Sequence, residues 1–292
     1  MAQEMAVLRS EGEMRAWVEE VKRRGKTVGF VPTMGYLHEG HLKLVDEAKQ
    51  HADVVVVSIY VNPTQFAPGE DFDVYPRDLE GDKKKLHARQ ADCIFAPSTL
   101  YRDGQGRSEE GETSLRARTS LTKQLCGKSR PHFFGGVCTV VAKLFHIVTP
   151  DVAVLGKKDY QQWRVIEAMV EDLHFNIKVI GAPLVRDEDG LALSSRNARL
   201  SFSDRSAALA IPQSLFAAKE SLSKGETRAE AIVSSIRESI EHNGGRVDYI
   251  EVVDASTLEP VQEVGQSHTL IAVAAHFGDV RLIDNMELSP AN

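Results

Sequence analysis

At 292 residues, 42% hydrophobic and 26% charged, the chain has the make-up of a soluble globular protein with one large domain or two unequal ones. A net charge of -7 argues against a dedicated nucleic-acid binder, and no apolar run approaches the ~18 residues that would span a membrane. Three cysteines (Cys93, Cys126, Cys138) without Cys-x-x-Cys spacing argue against zinc and against a disulfide framework. Met1-Ala2-Gln3-Glu4 lacks the basic start of a signal peptide, so the expected location is cytoplasmic.

Strand-like runs at 27–33, 53–61, 92–96, 152–156 and 176–181 alternate with helical patterns at 42–50, 79–90, 137–148 and 160–173. The second run, Val54-Val55-Val56-Val57-Ser58-Ile59-Tyr60-Val61, is almost wholly apolar, as suits a parallel strand covered on both faces. The alternation predicts an α/β fold with a doubly wound parallel sheet, its ligand outside the carboxyl ends of the strands. The Gly-rich, acidic stretch 101–118 reads as a surface excursion without chemistry. After about residue 185 the rhythm changes. Helical patterns at 206–221 and 228–242 precede strands at 247–253, 269–275 and 280–283, which predicts a smaller α+β domain over 185–292 after a first domain over 1–184.

The first strand runs into Met34-Gly35-Tyr36-Leu37-His38-Glu39-Gly40-His41 and then a helix. Amides at a helix start lack intrahelical partners and the dipole favours negative charge, so phosphate is the natural guest. Gly40 lets an anion approach the backbone. His38 and His41 share a face, and a His pair there suits nucleotidyl transfer, where charge builds on an α-phosphate. The pair is not the H-E-x-x-H zinc pattern, though a surface accident or a metal fragment has the same spacing.

Three further segments follow or flank strands. Asn62-Pro63-Thr64-Gln65-Phe66 offers two amides to a polar substrate, or is a turn capped by Asn62. Gly156-Lys157-Lys158-Asp159-Tyr160-Gln161-Gln162 offers lysine charge to a phosphate, or is a helix start capped by Asp159. Leu193-Ser194-Ser195-Arg196-Asn197 offers hydroxyls and a guanidinium to phosphate, or is another capped helix start. Gly127-Lys128-Ser129 resembles the end of a P-loop but has Thr122 where that motif needs Gly, and no strand is followed by G-x-G-x-x-G. The cysteines read as small core fillers.

Taken together, these segments resemble the pantothenate synthetase (pantoate–β-alanine ligase) family. The resemblance rests on Pro32-Thr33-Met34-Gly35 through His41, Val61-Asn62-Pro63-Thr64-Gln65-Phe66 and Tyr75-Pro76-Arg77. It continues through Val140-Val141-Ala142-Lys143-Leu144-Phe145, Gly156 to Gln162, Leu193 to Asn197, and Arg281-Leu282-Ile283-Asp284-Asn285. It implies a Rossmann-like domain with a smaller C-terminal lid. The implied reaction is an ATP-dependent ligation in which pantoate and β-alanine form pantothenate through a pantoyl adenylate.

By the same resemblance, Met34, Gly35, Tyr36, Leu37, His38, Glu39, Gly40 and His41 line the ATP phosphates. His41 and His38, with Lys158 and Arg196, are the catalytic candidates. Gly156, Lys157, Asp159, Val185, Leu193, Ser194 and Ser195 complete the nucleotide site, and Gln65, Gln162 and Asn62 bind pantoate. Mg²⁺ is implied as a companion of ATP with no protein ligand set, although Asp82 could reach a metal-bound water. A homodimer is the implied assembly. Two departures stand out: Phe133 occupies a position where the family pattern has His, and Lys157 replaces a frequent Glu. The competing readings are another small-molecule nucleotidyltransferase with the same His-x-Gly-His turn, and a silent nucleotide-binding protein.

Overall fold

The structure is a computed structural model describing residues 5–102 and 113–290. Most of the predicted 101–118 excursion and the Met1-Ala2-Gln3-Glu4 stretch therefore lie outside the described residues, but Tyr101, read as the start of a surface excursion, is buried, its hydroxyl donating to Asn62. The first half contains β1 (Ala6–Leu8), α1 (Glu11–Arg23), β2 (Val28–Thr33), α2 (Glu39–Ala48), β3 (Val54–Ile59), α3 (Leu79–Ala88), β4 (Cys93–Phe95), α4 (Leu125–Ser129) and α5 (Phe133–Val148). Then come β5 (Val152–Gly156), α6 (Tyr160–Asp172), β6 (Lys178–Ala182), α7 (Phe202–Ala208), α8 (Ala210–Ser223), α9 (Ala229–His242), β7 (Arg246–Asp254), β8 (Thr269–Phe277) and β9 (Val280–Leu288).

Two compact units emerge. One comprises Met1–Arg118, Arg130–Lys157 and Val165–Pro183; the other comprises Thr119–Ser129, Lys158–Arg164 and Leu184–Asn292. The second unit thus takes in 119–129 and 158–164 as well as the stretch that starts at Leu184.

In the first unit, six strands lie in the order β1-β4-β3-β2-β5-β6, and every pairing is parallel. The strand order reverses between β2 and β5, and in such sheets the crevice beyond the carboxyl ends at that reversal is where ligands bind. Residue 34 follows the end of β2 and Lys157 follows the end of β5, so the topology aims both segments at this crevice. Val31, Val55, Val57, Ile94 and Val154 pack against Leu42, Val45 and Ala48 of α2 and Leu86 of α3. The continuous apolar runs of β2 and β3 follow from burial on both sheet faces.

The second unit is built on an antiparallel sheet, β7-β8-β9. Ile250, Val252, Ile271, Val273 and Leu282 join Ile211 and Leu215 of α8 and Ile232, Ile236 and Ile240 of α9 in one core.

Several elements differ from their sequence-based outlines. The pattern at 206–221 is two helices, α7 and α8, because Pro212 lacks the N–H that would bond back to the Ala208 carbonyl. The strand predicted to stop at 283 runs on to Leu288 through the polar Asp284 and Asn285, both buried and hydrogen-bonded. Ahead of the first predicted strand lie β1 and α1. That helix is closed by a capping box in which the Glu13 carboxylate accepts the Ser10 N–H and the Ser10 hydroxyl accepts the Glu13 N–H.

Candidate active site

The turn after β2 owes its shape to two left-handed residues, Gly35 at φ +83° and Tyr36 at φ +50°. A Cβ on Gly35 would lie 2.8 Å from Ile59 Cγ2, so the position requires glycine on two counts. Helix α3 holds this turn from one face, where residues three apart are neighbours. Asp82 accepts the N–H of Tyr36 at 2.8 Å and of Leu37 at 2.7 Å, and Lys85 Nζ donates to the Leu37 carbonyl at 2.6 Å. The Gly35 N–H is taken by Thr33 Oγ1 at 3.1 Å. Asp82 is fully buried; burial pushes its carboxyl up while the two amides pull it down, and burial wins. Asp82 thus holds the turn's backbone, with one amide on each of its oxygens.

With the amides of residues 35–37 committed, what this segment presents to an anion is the start of α2 and its imidazoles. His38 is the N-cap residue in extended conformation, and Glu39 and Gly40 open the helix. The rings of His38 and His41 lie 4.0 Å apart between centroids, tilted by 35°. The His38 backbone N–H points at Nδ1 of His41 at 3.4 Å, a long contact that favours the tautomer with its proton on Nε2. Glu39 is held in an ion pair by Arg89, which also bonds Asp46 at 2.7 Å. The pairing offsets a carboxylate that would otherwise repel phosphate.

The turn after β3 forms a short 3-10 segment, Pro63–Gln65. Asn62, only 1% exposed, is bonded on every side. Its Nδ2 donates to the Gly136 carbonyl at 3.2 Å and to Gln65 Oε1 at 3.1 Å; its Oδ1 accepts the Tyr101 hydroxyl at 2.8 Å and the Thr64 hydroxyl at 3.0 Å. Two donors and two lone pairs are thereby filled, so the expectation that Asn62 binds substrate directly is corrected to a supporting role. Gln65 Nε2 lies 3.2 Å from Met34 Sδ, bringing two predicted site residues together. Arg130 braces the same turn, donating to the Gln65 carbonyl at 3.0 Å and to Glu70 at 2.8 and 2.5 Å.

The remaining candidates belong mostly to the second unit. Lys157, Lys158 and Asp159 form a 3-10 turn leading into α6. Lys158 Nζ is 3.2 Å from Asp159, and Asn285 Nδ2 donates to the Lys158 carbonyl at 3.0 Å. Gln161, buried, spends its amide on the backbone of Leu121, Gln124 and Gly127, whereas its neighbour Gln162 is half-buried. Val185 and Leu193 are joined directly, Leu193 N–H to Val185 carbonyl at 3.0 Å, across a hairpin whose tight end is Gly190 at φ +92°. Ser194 then caps the 3-10 segment Ser195–Arg199 through its hydroxyl and the Arg196 N–H at 3.2 Å. That hairpin is tied to β9 by Arg186 and Asp284, a pair that sequence spacing could not reveal.

Cys93 and Cys138 are buried, and burial pushes each thiol up to about 12, which removes them as nucleophiles at neutral pH. Among the described residues no group of three or more His, Cys, Asp or Glu could hold a metal ion, and no helix is long and apolar enough to cross a membrane.

Comparison with known proteins gives this geometry a family. The family model described as pantoate-beta-alanine ligase matches residues 6–287. The chain belongs to the pantoate–β-alanine ligase family. It is 49% identical to the pantoate–β-alanine ligase of Arabidopsis thaliana, covering 98% of this chain and 99% of that one. Identity is also 49% to the pantothenate synthetase of Thermotoga petrophila, covering 96% and 99%. The crystal structure of pantothenate synthetase from Thermus thermophilus matches with a TM-score of 0.89 at 41% identity, over 98% of this chain and 100% of that one. The Francisella tularensis pantoate–β-alanine ligase, complexed with beta-gamma ATP and β-alanine, matches with a TM-score of 0.77 at 33% identity, over 97% of each chain. Phe133, the expected departure from the family pattern, sits beside Arg130. The Arg130 guanidinium lies 4.0 Å from its ring centroid, so the aromatic face supports the arginine that braces Gln65.

Proposed function

We propose that this chain joins pantoate to β-alanine at the expense of ATP, through a pantoyl adenylate. The observation that carries the reading is the close, tilted His38–His41 pair just beyond the carboxyl end of β2, beside the strand-order reversal, in a chain of this family. A pantoate carboxylate oxygen attacks the α-phosphorus of ATP; the bond from that phosphorus to the bridging oxygen breaks, and pyrophosphate leaves. The amine of β-alanine then attacks the acyl carbon, the bond to AMP breaks, and the amine gives up a proton. The adenylate is needed because a carboxylate is a poor acyl donor.

In this reading His41 Nε2–H and His38 donate to the α-phosphate oxygens, which gain charge in the transition state. Gln65 and Gln162 orient the acid. We assign phosphate recognition also to Lys158, Ser194, Ser195 and Arg196, and nucleoside contacts to Gly156 and Val185, on the strength of their motifs. Mg²⁺ is proposed as a counter-ion on the ATP oxygens, since a hard cation that keeps its waters needs no protein cage. A homodimeric, cytoplasmic enzyme completes the proposal, with sedimentation as the check on assembly.

The deciding experiment is ATP–pyrophosphate exchange with and without pantoate, β-alanine omitted. Exchange that depends strictly on pantoate supports the reading. Exchange supported only by a different acid points to another nucleotidyltransferase. Folded protein that binds ATP but exchanges nothing with any acid is a silent nucleotide binder.

A further inference from the structure

A glutamine side chain ends in a carbonyl oxygen and an amide nitrogen, two groups of opposite chemistry and nearly the same shape. Which end of Gln65 meets the acid decides whether it can donate to an oxygen of that acid or only accept. We propose that Asn62 and Tyr101 are positioning residues that lock Gln65 with its amide nitrogen toward the substrate. The proposal rests on the assignment of Gln65 to the acid substrate.

The argument starts from Gly136, whose backbone carbonyl can only accept. The end of Asn62 lying 3.2 Å from it must therefore be the NH₂ group. The second proton of that NH₂ goes to Gln65 at 3.1 Å, so the atom of Gln65 facing it must be the carbonyl oxygen. Gln65 Nε2 is then left on the Met34 side, 3.2 Å from the sulfur. Thioether sulfur is a weak acceptor, readily exchanged for a carboxylate or hydroxyl oxygen. Tyr101 closes the other end of the relay, its hydroxyl donating to Asn62 Oδ1 at 2.8 Å. Reversing Asn62 would set its oxygen against the Gly136 carbonyl and against Gln65 Oε1, a double mismatch in a site from which water is excluded. Asn62 is 1% exposed and Tyr101 5%, so solvent does not relieve such a mismatch.

The surrounding packing keeps the relay in register. A Cβ on Gly136 would lie 2.4 Å from the Thr64 carbonyl oxygen, so α5 and the 62–66 turn approach as only glycine allows. Lys143 Nζ stands 4.3 Å from the Tyr101 ring centroid and donates to the Leu100 carbonyl at 2.8 Å, which holds the tyrosine independently of its hydroxyl.

The test uses Tyr101→Phe and Asn62→Asp in the full chain, with ATP–pyrophosphate exchange titrated separately in pantoate and in ATP. Tyr101→Phe removes one donor and keeps the ring; the KM for pantoate should rise by about tenfold, the scale of one well-placed hydrogen bond, with the KM for ATP unchanged. Asn62→Asp offers only acceptors to Gly136 and Gln65 and should raise the pantoate KM further. A purely structural role would instead lower the unfolding midpoint and disturb both substrates together. An unchanged pantoate KM in Tyr101→Phe, or equal shifts for ATP and pantoate, overturns the proposal even if Asn62→Asp does not fold. Absence of pantoate-dependent exchange in the unmodified chain removes the functional reading itself, and this inference with it.

Discussion

Arg186 and Asp284 form a bidentate pair, Nη1 to Oδ2 at 2.6 Å and Nη2 to Oδ1 at 2.9 Å, with Asp284 only 3% exposed. Burial pushes the Asp284 carboxyl up against the opposing pull of the guanidinium. The pair fastens the 185–193 hairpin to β9, and the next residue, Asn285, fastens the Lys158 backbone. Phosphate-recognition candidates far apart in sequence thus hang on two consecutive residues of one strand.

Asp284→Ala leaves the half-buried Arg186 guanidinium with only the Gly190 and Asn285 carbonyls as acceptors and should destabilise the second unit by about 1.5–3 kcal/mol, the scale of hydrogen bonds to a charged group. The double variant Arg186→Met/Asp284→Leu, which removes both charges, should lose much less. Urea denaturation of the three proteins checks this; equal losses in the single and double variants would show that the pair acts through packing alone.

His41→Ala should lower the adenylation rate by about 10²–10³, the usual scale for one transition-state donor. Pre-steady-state measurement of pyrophosphate release reads this step directly. Near-normal release from a folded variant would take His41 out of the mechanism.

Gly136→Ala places a methyl group 2.4 Å from the Thr64 carbonyl oxygen and 2.9 Å from the Gln65 nitrogen. Backbone on both sides leaves no flexible side chain to yield, so a loss of about 1–3 kcal/mol is expected, with weakened pantoate binding. A calorimetric scan and a pantoate titration on one variant test both parts.

Burial alone would raise Glu70, but the Arg130 hydrogen bond and charge, with the Ala67 amide, outweigh it and hold the carboxyl below its ordinary 4.5. The folded state therefore binds fewer protons than the unfolded one between that lowered value and 4.5. The resulting stabilisation is fully present above about pH 4.5 and is lost as pH falls through the folded value. The stability gap between the wild type and Glu70→Gln should be widest above pH 4.5 and close in acid. A gap independent of pH would assign Glu70 a packing role only.

Asp82→Ala leaves the amides of Tyr36 and Leu37 without their acceptor, at about 1–3 kcal/mol for each buried donor. The turn would then lose the left-handed geometry that sets up His38. Amide exchange at Tyr36 and Leu37 should accelerate selectively; unchanged protection there would contradict the assignment.

Apolar runs of period and length suited to buried parallel strands made β2, β3 and β5 legible, and turn chemistry placed His38, His41, Gln65 and Lys158 at strand ends. Local order along the chain determined this much, because strand and helix periodicity and glycine-dependent turns act between near neighbours. Helix α1, with its Ser10–Glu13 capping box ahead of the Met14, Val18 and Val21 stripe, was not among the predicted elements, and β1 is too short to leave a pattern.

Partners separated by long stretches of chain were decided only by the tertiary structure. Asp82 meets the turn 46 residues before it, Asn62 meets Gly136 74 residues after it, and Arg186 meets Asp284 98 residues away. Nothing local in the sequence shows that Asp82, Asn62 and Asp284 are buried; each can be because folding supplies a donor that water would otherwise provide. Sequence named the groups suited to handle phosphate and acid; three-dimensional packing decided which distant residues hold the turns that carry them.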